Sequence, residues 1–185
     1  MDNNSQSRAQ ATWAQARHEL GGTITALEFG DTVSGVVTGV PSKPARVIRL
    51  QLGVGALARK YFHAPRPGEI AVEAAIAEVE EAIMPLRLLV PANARCVTGN
   101  RCVARIAVVL GVMPSSWVTL TTDAVEDAFN RWVSIALGRP ATQDALPTNA
   151  EFAASLLMLR EWLHHLSFAG ILLAPTNTGS SAFAS

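Results

Sequence analysis

Residues 23–52 read TITALEFGDTVSGVVTGVPSKPARVIRLQL, and their pattern decides the fold. Three runs rich in Val, Ile, Leu and Thr (ITALEF, VSGVVTGV and ARVIRLQL) are separated by Gly30-Asp31 and by Pro41-Ser42-Lys43-Pro44. β-branched residues fit the pleated surface of a sheet, while Gly, Pro, Asp and Ser supply turn conformations. Short turns between such runs join neighbouring strands, so the stretch predicts a three-stranded antiparallel meander.

On either side the period changes. Upstream, residues 8–20 predict a short helix closed by Gly21-Gly22, preceded by a disordered lead over 1–7. Downstream, residues 68–84 place Val72, Ile76, Val79 and Ile83 at helical spacing, with Glu69, Glu73 and Glu80 on another, solvated face. Pro85 ends that helix. Ala94-Arg95-Cys96-Val97 is a short strand that leads through Thr98-Gly99-Asn100 into a helix at 101–110. Asp123 and Glu126 have capping-box spacing at the head of a helix reaching Leu137. A helix over 149–167 carries Phe152, Leu156, Leu159, Leu163 and Leu166, and 170–174 is a buried strand. Strands first and βα units after them predict a mixed five-stranded sheet flanked by helices. The expected organisation is a tail with a short helix over 1–22, one α/β lobe over 23–175 and a flexible tail over 176–185.

Composition narrows the partners. The chain has 185 residues, 49% apolar and 16% charged, with 15 basic and 15 acidic side chains. Zero formal net charge argues against a broad nucleic-acid surface, which needs excess Lys and Arg. It leaves self-association unopposed. No apolar run approaches the roughly 20 residues of a membrane span. The opening MDNNSQSRAQ lacks an apolar signal core, so cytoplasm is the expected location. Cys96 and Cys102 have no zinc or redox spacing and read as small buried hydrophobes. Glu161 and His165, at i and i+4, read as a surface pair. No metal site is expected.

In the order of these elements the chain resembles the exopolyphosphatase and guanosine pentaphosphate phosphohydrolase family, over residues 23–175. That family has two actin-like lobes with phosphates bound between them, and the resemblance is to the second lobe. Its first glycine-rich loop, of type D-x-G-G-G-S-T, corresponds to Glu28-Phe29-Gly30-Asp31-Thr32-Val33-Ser34. Glu28 stands for the acid and Gly30 for the first glycine. Asp31 and Thr32 stand where glycines belong, and Val33 replaces the serine. The pattern S-L-P-L-G-A-x-R-L is matched by Leu50, Leu52, Gly53 and Leu57, with Ala56 in place of the arginine. The second loop, G-T-G-G-T, corresponds to Val97-Thr98-Gly99-Asn100-Arg101, of which Thr98 and Gly99 match. After the last strand the family has a G-L-R-E-G motif, where this chain reads Pro175-Thr176-Asn177-Thr178-Gly179. The apolar framework is kept and the polar loop signatures are eroded.

The resemblance implies a ribonuclease H-like (actin-like ATPase) lobe. It implies degenerate phosphate loops at Glu28, Gly30, Asp31, Thr32, Thr98, Gly99 and Asn100, placed at one end of the sheet, and no catalytic residue. No cofactor is expected, magnesium entering only with a phosphorylated ligand. Three functions stay open. One is a binding or regulatory module for a phosphorylated ligand or partner protein, without catalysis alone. The second is a subunit of a two-chain phosphoanhydride hydrolase, and the third a structural homodimer. Asp31 is also a favoured turn residue, so ordinary surface turns remain the other reading of both loops.

Overall fold

In the computed structural model, which describes residues 3–64, 67–113, 115–138 and 146–175, the 23–52 stretch forms the meander. Strands β1 (Ile24–Glu28), β2 (Ser34–Gly39) and β3 (Arg46–Leu50) pair antiparallel in sequence. Helices α2 (Val54–Tyr61) and α3 (Gly68–Ile83) follow, then a 3₁₀ turn at Met84–Leu88 where Pro85 interrupts the α pattern. Next come β4 (Arg95–Thr98), α4 (Arg101–Val109), β5 (Val118–Thr121), α5 (Thr122–Ala136), α6 (Ala150–His165) and β6 (Gly170–Leu173).

The sheet has the order β3-β2-β1-β4-β6-β5. β4 lies parallel to β1 and β6 parallel to β4, while β5 returns antiparallel along the edge. The sheet therefore has six strands where five were expected. The extra strand, β5, is four residues long and runs into α5 without a turn residue. Its last residue, Thr121, is also the helix cap, with Oγ1 accepting from the Ala124 N–H at 3.2 Å. The cap is thus Thr121 rather than Asp123, because the hydroxyl reaches the free N–H groups of the first turn two residues earlier.

One face of the sheet carries the main core. Leu27, Phe29, Val36, Cys96, Leu120, Ile171 and Leu173 meet buried side chains from α2 to α6. Helix α6 lies at its centre and is buried almost all round, from Phe152 to Leu163. Trp162 is fully buried and its indole N–H donates to Cys96 Sγ at 3.2 Å.

The other face is covered by helix α1 (Asn3–Glu19), which includes the helix expected over 8–20 and extends it back into the lead expected to be disordered. The stripe that buries it is made of small residues: Ser5, Ala9 and Ala16, with Trp13 half-buried and donating to the Ile24 carbonyl at 3.2 Å. Side chains alternate along a strand, so Ile24, Ala26 and Glu28 all face α1. Glycines at Gly35 and Gly39, paired with Glu28 and Ile24, let the helix approach closely. A Cβ on Gly35 would stand 2.5 Å from the Ser5 carbonyl oxygen, and one on Gly39 3.2 Å from the Trp13 ring. Residues 176–185, expected to be a loose tail, lie outside the described residues. No described helix is long and apolar enough to cross a membrane.

Candidate functional site

Because β1 and β4 are parallel neighbours, the turns after them emerge at the same end of the sheet. The structure ties the two turns together through buried hydrogen bonds. Thr98 Oγ1 donates to the Leu27 carbonyl at 2.7 Å and accepts from the Asn100 N–H at 3.0 Å. Asn100 Nδ2 donates to the Phe29 carbonyl at 2.9 Å. Its Oδ1 accepts from the N–H groups of Cys102 and Val103, at 3.0 and 3.3 Å, and so caps α4. Gly99 passes beneath α1, where an added Cβ would lie 2.9 Å from Thr12 Oγ1.

The first turn is anchored to α2 as well. The Gly30 and Asp31 carbonyls accept from the N–H groups of Val54 and Ala56, both at 2.9 Å. Two helix N-terminal donors, which in a phosphate loop point at an anion, are therefore spent inside the protein. Gly53 and Gly55 make room for this packing: a Cβ on Gly55 would overlap the Asp31 carboxylate. Asp31 itself is held by both terminal nitrogens of the Arg59 guanidinium, Nη1 and Nη2, each at 3.0 Å. Those bonds hold the Asp31 carboxyl below the usual carboxylate range. Arg59 lies one helical turn beyond Ala56, the position where the arginine of the expected pattern is absent. No local pattern signals its pairing with Asp31, which lies 28 positions away.

Between these turns and the first turn of α1 opens a pocket of about 260 Å³. Glu28, Gly30 and Asp31 line it, while Thr32, Thr98, Gly99 and Asn100 do not. Thr32 is exposed next to Asp31. The pocket's other groups were not expected: Ser5 and Arg8 from α1, Cys102 from α4 and Glu151 from α6. Glu28 is 3% exposed and stands 3.6 Å from Arg8 Nη1. Burial pushes its carboxyl up, opposed by the Asn100 amide and by Arg8. Ser5 is 4% exposed, and its Oγ is the one buried side-chain oxygen or nitrogen without a hydrogen-bond partner among the described residues. Cys102 is half-buried, not fully buried as expected, and burial raises its thiol pKa. It therefore stays protonated near neutrality and is a poor nucleophile. Cys96 is buried and pushed up to about 12.

Chemically, the pocket offers one guanidinium, one unsatisfied hydroxyl and three carboxylates, Glu28, Asp31 and Glu151, of which Asp31 is already neutralised by Arg59. At about 260 Å³ it falls just below the range of roughly 300 to 1,000 Å³ typical of drug-sized ligands, so it suits a small polar group.

No protein-family model and no curated protein matches this sequence. Solved structures do match. A Ppx/GppA phosphatase from Aquifex aeolicus superposes with a TM-score of 0.73 at 14% identity, covering 92% of this chain and 59% of the other. An exopolyphosphatase from Cytophaga hutchinsonii gives 0.69 at 9% identity, with 92% and 60% covered. An exopolyphosphatase-like protein gives 0.69 at 12% identity, with 92% and 63% covered. The chain thus spans about three fifths of the length of these structures. Its fold is the actin-like, ribonuclease H-like fold of a single lobe of the Ppx/GppA phosphatases.

Proposed function

We propose that this chain is a binding or regulatory module that holds a small phosphorylated ligand in the pocket between α1 and the two turns, without hydrolysing it. The observation that carries the reading is the pairing of an unsatisfied, buried Ser5 hydroxyl with the Arg8 guanidinium at the mouth of that pocket. A buried hydroxyl without a partner is costly, and an oxyanion would satisfy it. Arg8 supplies the charge-assisted bond that phosphate oxygens favour. Against this stand Glu28 and the internal use of the α2 donors, which make the holding weak. Phosphoryl transfer requires charge stabilisation on all sides of the transferred group, and this pocket gathers one guanidinium beside three carboxylates.

The test is calorimetric titration of the full chain with inorganic tripolyphosphate, alongside Arg8→Ala and Asp31→Gly. The expected result is weak saturable binding that is lost in Arg8→Ala. In Asp31→Gly it strengthens about fivefold, because a like charge is removed and Arg59 is released; one charge at high effective dielectric is worth on the order of 1 kcal/mol. Affinity unchanged in both variants overturns the reading. Magnesium-dependent phosphate release by the pure chain would replace it with the hydrolase reading.

A further inference from the structure

A second polar cluster lies at the far end of α6, independent of the loop pocket. Glu151 touches the loop pocket at the start of α6, and His165 closes the helix fourteen residues later. At about 1.5 Å per residue the two sites stand roughly 20 Å apart along the helix axis. Glu161 and His165 share one face of α6, as their spacing requires, but Glu161 is 0% exposed, which corrects the expected surface pair. Helix α3 brings in Glu80 from the acidic face that the sequence placed in solvent.

His165 Nε2 stands 3.0 Å from Glu80 Oε1 and 3.1 Å from Glu161 Oε2. The three ligand-type atoms lie within 4.8 Å of one another. A single ring nitrogen carries at most one hydrogen, and one N–H shared between two carboxylate oxygens is well aligned with at most one of them. The charges are uneven as well. Of the three carboxylates here, Arg160 holds Glu126 at 2.8 and 3.1 Å and Glu161 Oε1 at 2.6 Å, while Glu80 meets His165. Removing a carboxylate as buried as Glu161 from water is expensive unless cations compensate it.

We infer that Glu80 Oε1, Glu161 Oε2 and His165 Nε2 form a site for a divalent cation of the zinc type. Zinc takes imidazole nitrogen and carboxylate oxygen at about 2.0 to 2.2 Å, which in a tetrahedron puts ligand atoms roughly 3.4 Å apart. The two separations from His165 Nε2 need to open by only a few tenths of an ångström, and the carboxylate oxygens lie within 4.8 Å of each other. Arg160, bound to the second oxygen of Glu161, fixes the carboxylate's orientation as outer-shell partners of metal ligands do. A crevice of about 170 Å³ lined by Arg87, Val90, Ala92, His165, Leu166 and Ser167 gives ion and water a route to the imidazole. Three protein ligands leave the fourth position to water.

The experiment is titration of the chelator-treated full chain with Co²⁺, followed by visible absorption, and with Zn²⁺, followed by the thermal midpoint. One Co²⁺ per chain is expected, displaced by Zn²⁺, with the midpoint raised by zinc. His165→Gln abolishes binding, and Glu80→Gln weakens it roughly tenfold or more. Glu161→Gln risks unfolding because its carboxylate is fully buried; Glu80 is half-exposed, so Glu80→Gln keeps the test decisive. No saturable binding at micromolar metal overturns the assignment, and so does wild-type affinity in either His165→Gln or Glu80→Gln.

Discussion

The two faces of the sheet are buried by different means. The main face is filled with large side chains from five helices and is centred on α6, whose Leu156, Leu157, Leu159, Trp162 and Leu163 are all fully buried. The opposite face is covered by α1 through alanine, serine and glycine, with Ala9, Ala16, Ala26, Val37 and Val97 in contact and backbone close to backbone. Large side chains bury more area and give most of the stability. Small ones set a separation, and here that separation brings Ser5 and Arg8 over Glu28. The thick face holds the fold, and the thin face shapes the pocket.

The widest gap between the faces should appear on truncating Trp162. Trp162→Ala removes a fully buried indole and is expected to cost about 3–5 kcal/mol in denaturant unfolding. It leaves tripolyphosphate affinity unchanged at temperatures where the variant is folded. A loss below 1 kcal/mol would break the contrast between the faces.

A smaller effect is expected on the thin face from Gly35→Ala. Its Cβ meets the Ser5 carbonyl at 2.5 Å, so α1 must move off β2. Overpacking of this kind costs about 1–3 kcal/mol. Amide exchange should quicken in α1 and stay slow in α6, and tripolyphosphate binding should disappear because Ser5 and Arg8 move together. Equal acceleration in both helices would mean that the two faces unfold as one and that the division is wrong.

The smallest effect concerns Glu28. Burial raises its folded pKa above the ordinary 4.5, so the folded protein binds more protons than the unfolded chain between those two values. The contribution of Glu28 to stability is therefore greatest below the ordinary value. It falls as pH rises through the folded pKa and is flat above it. Glu28→Gln should be slightly more stable than the native protein at neutral pH, with the difference closing on acidification. Denaturant midpoints of both proteins across the acid range measure this, and a difference that widens toward low pH would reverse the assignment.

Much of this architecture was legible in the residues. Runs rich in Val, Ile, Leu and Thr together with turn chemistry determined the meander over 23–52, and the 3.6-residue period of Val72, Val79 and Ile83 determined α3. The family resemblance, rather than local pattern, placed both turns at one end of the sheet, and the parallel pairing of β1 and β4 puts them there. Three features were decided only by tertiary structure. Helix α1 docks through small residues, which carry little periodic hydrophobicity, so its burial shows only against glycines some thirty residues away. Arg59 neutralises Asp31 because the turn folds back onto α2, a contact across 28 positions. Glu80 and His165, 85 positions apart, meet because α3 packs on α6. Local sequence dictates backbone conformation through sterics and period. Which charges face one another depends on packing between distant segments, and packing chose the polar groups of both sites.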